Sequence, residues 1–319
     1  MSRVLVGAPL VGDALERVRA VAELVTTDDP IGWSRAELLA RVVDVDALIA
    51  MPSQRVDAEL LDRAPGLRVV ANHAVGVDNV DLQACAARSV VVTNTPGVLT
   101  EATADLAFGL LLDACRRISE GDRVVRAGGW RGWGPTVFLG ARVTGATLGI
   151  IGFGRIGRAV ARRARGFEMR VIYASPRPPT PSAPDDAEGA ERVTLDELLA
   201  RADVVSVHAP LRPETRGLLS RERIAAMRRG AVLVNTARGA LVDEDALAEA
   251  LVDGRLAAAG LDVYLDEPRV SPALLAAPNL VLAPHLGSAD APTRAAMASL
   301  ACGAVVAVLG GGQPPNRVV

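Results

Sequence analysis

Short, almost wholly apolar runs alternate with longer stretches whose apolar residues recur at helical spacing. Arg3 to Gly7, Ala47 to Met51, Leu67 to Val70 and Val90 to Thr93 are too short for helices and read as strands. Apolar at nearly every position, they suit a sheet covered on both faces. Asp13 to Val25 and Ser34 to Arg41 read as helices between them. Thr100 to Arg117 is a long apolar helix, with capping groups in Thr100-Glu101-Ala102-Thr103. Gly128 to Gly140, rich in Gly and Trp, is the strongest loop signal in the chain.

A second series starts at Thr147: strand Leu148 to Ile151, helix Arg155 to Arg165, strand Arg170 to Tyr173. A proline-rich surface loop, Pro176 to Pro184, follows. Further strands are Val204 to Val207, Ala231 to Val234, Ala258 to Leu261 and Val281 to Leu282, and a last helix runs from about Pro292 to Leu309. This alternation predicts an α/β fold with parallel sheets. The 319 residues suit two domains, at about 150 residues each.

Composition removes several function classes. Half the residues are apolar, enough for large cores, and the net charge of −2 is spread without a basic block, so nucleic acid is not an expected partner. Every basic residue is an arginine, which excludes Schiff-base or P-loop chemistry that needs lysine. Cys85, Cys115 and Cys302 lie in apolar stretches without a CxxC, and read as core residues in a reducing, cytoplasmic compartment. His73, His208 and His285 are not clustered, so no metal is expected. The N-terminus does not read as a signal peptide, and no apolar run reaches the length of a membrane span.

The clearest chemical signal is Gly152-Phe153-Gly154-Arg155-Ile156-Gly157, which lies between an apolar strand and a helix. Gly152 allows a tight turn, Gly154 lets backbone approach a pyrophosphate, and Gly157 lets the helix pack closely, with the phosphates at its N-terminus. A second strand follows, as a dinucleotide fingerprint requires. The stretch ending that strand, Tyr173-Ala174-Ser175-Pro176-Arg177, lacks the acid that would hold a ribose 2′-hydroxyl. Ser175 and Arg177 can instead hold a 2′-phosphate, so NADP(H) is expected to be preferred, with NAD(H) possible. The plainer alternative is that Arg177 points into solvent.

Three more segments each follow a predicted strand: Asn235-Thr236-Ala237-Arg238-Gly239, Asp262-Val263-Tyr264-Leu265-Asp266-Glu267-Pro268, and Pro284-His285-Leu286-Gly287-Ser288. Ligands of open α/β sheets bind beyond the carboxyl ends of strands, so the three are expected to converge. Arg238 suits a bidentate grip on a carboxylate. His285 suits a general acid, and Glu267 a carboxylate that orients it. Against these stand plainer readings: His285 in a core, Arg238 in a structural ion pair, Glu267 capping a turn before Pro268, or Asp266 in place of Glu267.

These motifs, in this order and spacing, resemble the D-2-hydroxyacid dehydrogenases, and most closely the glyoxylate/hydroxypyruvate reductases. The resemblance extends to Asn72 through Asp81, Thr95 through Asp105, and the Trp130-Arg131-Gly132-Trp133-Gly134-Pro135 stretch. It implies two Rossmann-like domains: a flavodoxin-like substrate domain (1–98 and 288–319) and a dinucleotide-binding domain (99–287). It assigns Arg238, Glu267 and His285 as the catalytic set, and the Val75 and Gly76 amides with Arg238 to the substrate carboxylate. Thr103, Gly152, Gly154, Arg155, Ile156, Gly157, Ser175, Pro176, Arg177, Pro210, Thr236, Ala237, Asp262, Leu286 and Gly287 are the implied cofactor residues. Asp262 matches the aspartate that bonds the nicotinamide carboxamide. The implied reaction is hydride transfer from NAD(P)H to C2 of a small 2-oxo acid, giving a D-2-hydroxy acid, in a homodimer. Trp130 and Trp133 are open to two readings, ordinary packing or a contribution to a partner's site. Two alternatives share the scaffold: a phosphite dehydrogenase, disfavoured because such proteins place a lysine where Val75 stands, and a non-enzymatic NAD(H)-sensing corepressor.

Overall fold

The computed structural model describes residues 1–176 and 189–319. They divide into two compact units, Met1–Leu99 with Ser288–Val319, and Thr100–Gly287. Leu99 thus falls in the first unit, one residue beyond the boundary read from the sequence.

The first unit begins β1 (Ser2–Val6), α1 (Leu15–Arg19), β2 (Ala22–Val25), α2 (Arg35–Arg41), β3 (Ala47–Ala50), α3 (Ala58–Arg63), β4 (Val69–Asn72), α4 (Leu82–Ala87), β5 (Val91–Thr93). Its strands pair in parallel in the order β2-β1-β3-β4-β5, the flavodoxin-like arrangement. Two expected elements differ. The single helix expected over 13–25 is a short helix followed by an edge strand. Edge strands need only one apolar face, and Glu23 points off β2 toward Arg3, 3.6 Å away, so pairing with β1 overrides a pattern that also fits a helix. β4 also lies two residues later than expected, because buried Asn72 ends the strand although it looks like a loop residue.

The second unit holds α5 (Thr100–Arg116), α6 (Ile118–Arg126), β6 (Thr147–Ile151), α7 (Arg155–Ala164), β7 (Arg170–Ala174), β8 (Glu191–Arg192), α8 (Leu195–Arg201), β9 (Val204–Val207), α9 (Arg221–Ala226), β10 (Val232–Asn235), α10 (Glu244–Val252), β11 (Ala258–Leu261), α11 (Pro272–Ala276) and β12 (Leu280–Leu282). The parallel order is β12-β11-β10-β9-β6-β7-β8. Strand order reverses between β6 and β9, which leaves a crevice at their carboxyl ends. One face of the sheet packs on α5 and α7 through Ala107, Leu111 and Val160, the other on α8 and α10 through Leu198, Leu199 and Leu247. Each such fully buried leucine contributes about 1.5–3 kcal/mol. α8 is fixed at its start by reciprocal bonds between Thr194 and Glu197, as α2 is by Ser34 and Glu37.

The chain ends in α12 (Ala291–Leu309) of the first unit, which buries Ala298, Ala301, Cys302 and Val305 on a core with Val18, Ile49 and Val69. α12 is long and apolar enough to cross a membrane, with a mean hydropathy of 1.5. A count of uninterrupted apolar residues missed this, since Thr293, Arg294 and Ser299 interrupt the run. In the fold it is a core helix.

Candidate active site

Gly152 follows β6 with φ +92°, a left-handed conformation that glycine adopts without strain. A Cβ there would lie 2.5 Å from the Ala209 backbone nitrogen, so the turn is pressed against the segment after β9. Gly157 is pressed the other way: its Cβ would stand 2.3 Å from the Gly152 carbonyl oxygen. Gly154, by contrast, opens α7 with nothing within 4 Å of its Cβ position and no side-chain cap. Arg155 and Ile156 form the first turn of α7. A crowded turn beside an open glycine at an uncapped helix start fits a pyrophosphate on backbone amides.

Ser175 and Pro176 follow β7, and both carbonyls accept from Arg192 Nη2, at 3.0 and 3.3 Å. Arg177 lies outside the described residues. Pro210 follows β9, and its carbonyl accepts from Thr215 Oγ1 at 2.7 Å.

The three post-strand segments come together as expected. Asn235 ends β10 and shapes the first. Its Oδ1 accepts from the Ala237 amide at 3.0 Å and its Nδ2 donates to the Arg238 carbonyl at 2.9 Å. Among the described residues, the buried Thr236 hydroxyl has no hydrogen-bond partner. Gly239 lies so close to the next segment that a Cβ would meet the Tyr264 carbonyl carbon at 2.0 Å. That approach sets Arg238 beside Glu267. Glu267 Oε1 accepts from the Tyr264 amide at 3.0 Å, and Oε2 meets His285 Nδ1 at 2.7 Å. Burial pushes the Glu267 carboxyl up, but the His285 bond and charge, the Tyr264 amide and Arg238 outweigh it and leave it below its usual range.

His285 sits at φ +55°, and its side chain is 40% exposed. It is therefore no core histidine. Its amide donates to the Asp262 carbonyl at 3.0 Å. The Asp262 carboxylate, itself buried, accepts from the Leu286 and Gly287 amides at 2.6 and 2.9 Å. Thr103 on α5 donates to the Gly287 carbonyl at 2.8 Å. Four residues named separately in the sequence thus form one brace behind His285. Asp266 pairs with Arg269 through a 2.9 Å bond from Nε, which removes it as the orienting carboxylate. Glu267 both accepts from the Tyr264 amide and bonds His285.

Val75 and Gly76 lie in the first unit, on the loop after β4. His73 is buried there, and burial with nearby Arg294 pushes it down to about 4. His208 bonds Ser206 at 2.8 Å and burial likewise pushes it down to about 4. Trp130 and Trp133 are 62% and 87% exposed.

A profile described as the NAD binding domain of D-isomer specific 2-hydroxyacid dehydrogenases matches residues 108–287. The chain belongs to the D-isomer specific 2-hydroxyacid dehydrogenase family. It is an oxidoreductase that binds a nicotinamide nucleotide and works between 2-oxo and 2-hydroxy acids. Among relatives in this family, the glyoxylate reductase of Thermococcus litoralis is 46% identical, the match covering 96% of this chain and 93% of that one. A Thermus thermophilus protein of solved structure is 51% identical with a TM-score of 0.91, over 99% of this chain and all of that one. An NADPH-dependent glyoxylate/hydroxypyruvate reductase of Sinorhizobium meliloti, solved with NADP and malonate, is 36% identical with a TM-score of 0.87, over 100% and 97%.

Sequence reading missed Asn235, Tyr264 and Arg192. The first two sit inside the quoted motifs, and their polar side chains next to a strand end were the available signal. Tyr264 donates through its hydroxyl to the Ala283 carbonyl at 2.8 Å, tying the Glu267 segment to the one bearing His285.

Proposed function

We propose that the chain reduces glyoxylate, hydroxypyruvate or a closely similar small 2-oxo acid with NADPH in preference to NADH, giving the D-2-hydroxy acid. The observation that carries this is the 2.7 Å bond between His285 Nδ1 and Glu267 Oε2, with Arg238 beside Glu267. When bound, the reduced nicotinamide supplies a hydride to C2 of the oxo acid. The crowded Gly152 turn and open Gly154 suit its pyrophosphate, and the unpartnered hydroxyl of Thr236 suits a polar group of the cofactor.

The protein's own part is charge and proton placement. With Nδ1 held by Glu267, His285 turns Nε2 outward to donate a proton to the carbonyl oxygen. Glu267 holds Nδ1 and limits rotation of the ring. Arg238 binds the substrate carboxylate and draws electron density from the carbonyl. In the first unit, the Val75 and Gly76 amides are proposed to bind a carboxylate. Asp262, Leu286, Gly287 and Thr103 keep the His285 turn in place rather than meeting substrate.

NADPH preference rests on the absence of an acid at the end of β7, where Ser175 and Pro176 stand instead. The name of one relative, the NADPH-dependent Sinorhizobium meliloti reductase, points the same way. A tenfold higher kcat/KM with NADH than with NADPH contradicts the preference. Three buried free thiols, pushed up to about 11 by burial, suit a reducing compartment, and the cytoplasm is the proposed location. The proposed assembly is a homodimer. Ile118, Val125, Trp130, Trp133, Val137 and Leu139 form an exposed apolar stretch on α6 and the segment after it, and a second copy of the chain would cover it.

A further inference from the structure

The loop after β4 is held in an unusual way. Three successive carbonyls, those of Ala74, Val75 and Gly76, each accept a hydrogen bond from a different residue of the first unit. The Thr95 amide donates to Ala74 at 2.8 Å, Asn94 Nδ2 to Val75 at 2.8 Å, and Asn72 Nδ2 to Gly76 at 2.8 Å. Among the described residues, no acceptor takes the amides of Val75 or Gly76. The peptide run is therefore polarised, with its negative ends satisfied by the fold and its positive ends left over. Successive unpaired amides of this kind make an anion-binding concavity.

The side chains that do this are themselves fixed. Asn72, fully buried at the end of β4, exchanges bonds with Asn79, 3.0 Å in each direction. Asn79 Nδ2 also donates to the carbonyls of Met51 and Gln54, at 3.2 and 3.0 Å. Gln54 in turn donates to the Gly7 carbonyl at 2.9 Å, so the chain of bonds reaches the end of β1. Asn94 is held through its backbone: its amide donates to the Asn316 carbonyl at 3.3 Å, and Asn316 Nδ2 donates back to the Asn94 carbonyl.

We propose that Asn94, assisted by Asn72, is the positioning residue that turns the Val75–Gly76 peptide into a carboxylate-binding site. Asn94 does not touch the substrate. It holds the Val75 carbonyl inward so that the two amides point at an anion. Only the identity of that anion, a 2-oxo-acid carboxylate, rests on the reductase reading. Asn94 is the better probe of the pair, because it is half-buried and lies outside the Asn72–Asn79 pair that ties β4 to β1.

The test is oxalate binding to the full chain by calorimetry with saturating NADP⁺, for the wild type, Asn94→Ala and Asn94→Asp. Oxalate carries the carboxylate and cannot be reduced, so its affinity is read apart from turnover. Asn94→Ala is expected to weaken oxalate about tenfold, with NADPH affinity unchanged. Asn94→Asp, which sets a carboxylate against the Val75 carbonyl, is expected to weaken it further. In turnover, the Asn94→Ala loss is expected in the KM for glyoxylate, with kcat changed less than about threefold. A merely structural role would lower the Tm and move kcat and KM together. Oxalate affinity equal in wild type and Asn94→Ala, or no oxalate binding by the wild type, overturns the proposal. Weakened oxalate in a chain that reduces no 2-oxo acid would retain the positioning role and remove the reductase reading instead.

Discussion

His285 adopts φ +55°, a left-handed conformation uncommon for a residue with a side chain. Its own amide bond to Asp262 and the two amides that follow hold it there. His285→Gln is expected to lower kcat by about 10²–10⁴-fold and to leave NADPH affinity unchanged, checked by steady-state kinetics beside fluorescence titration. Asp262→Asn leaves one of the Leu286 and Gly287 amides facing an NH₂ group. The expected cost is about 1–3 kcal/mol of stability, read as a lower Tm, with kcat reduced as the turn loosens. An unchanged Tm would show that the brace does not hold the turn. At this scale the proposed catalytic residues were legible as a group, because Arg238, Glu267 and His285 each lie in a motif after a strand. Their supports were less so. Asp262 was read as a cofactor contact, and its carboxylate also braces the His285 turn, while the hydrogen bonds of Asn72 and Asn94 left no mark in the sequence. A side chain's partner is set by long-range register, and Asn94 and Asn316 illustrate how far apart in the chain such partners lie.

The turn between β6 and α7 separates packing from ligand contact at two glycines. Gly152→Ala would drive a Cβ into the Ala209 backbone at a left-handed position, so both Tm and cofactor affinity are expected to fall. Gly154→Ala meets no atom of the described residues. It is expected to keep the wild-type Tm and to weaken NADPH binding about tenfold, by standing where the pyrophosphate approaches the backbone. A fluorescence titration and a melting curve on each variant check this, and tight NADPH binding by Gly154→Ala would remove the pyrophosphate from that turn. Most strands were legible because parallel strands buried on both faces read as continuous apolar runs. β2 was not, since a four-residue edge strand is too short for its period to be told from a helix, and two-residue β8 carries only Glu191 and Arg192.

For the whole molecule, two buried histidines contribute to the response to acid. His73 and His208 are both pushed down from 6.5 to about 4, by burial in each case and by Arg294 at His73. The unfolded chain therefore takes up these protons first. The two histidines' share of the stability is expected to be full above about pH 6.5 and to be lost as pH drops toward 4, while depressed carboxylates such as Glu101 and Glu267 carry the fall further in stronger acid. For His73 the shift corresponds to on the order of 3 kcal/mol. Melting curves from pH 7.5 to 4 check the direction, and a flat Tm across that range would contradict it. Light scattering tests the proposed homodimer, and Trp133→Glu, at an 87% exposed position, is expected to weaken it without changing the protomer's fold. The order of motifs made the α/β architecture and the family legible from the chain alone, because each motif marks the end of a parallel strand. The measurement that bears most directly on the central claim is absorbance at 340 nm with NADPH or NADH, glyoxylate or hydroxypyruvate, and wild-type or His285→Gln protein. The account expects turnover by the wild type, faster with NADPH, and a loss of at least about a hundredfold in the variant. Near-normal turnover by His285→Gln, or none by a wild type that binds the cofactor tightly, would contradict it.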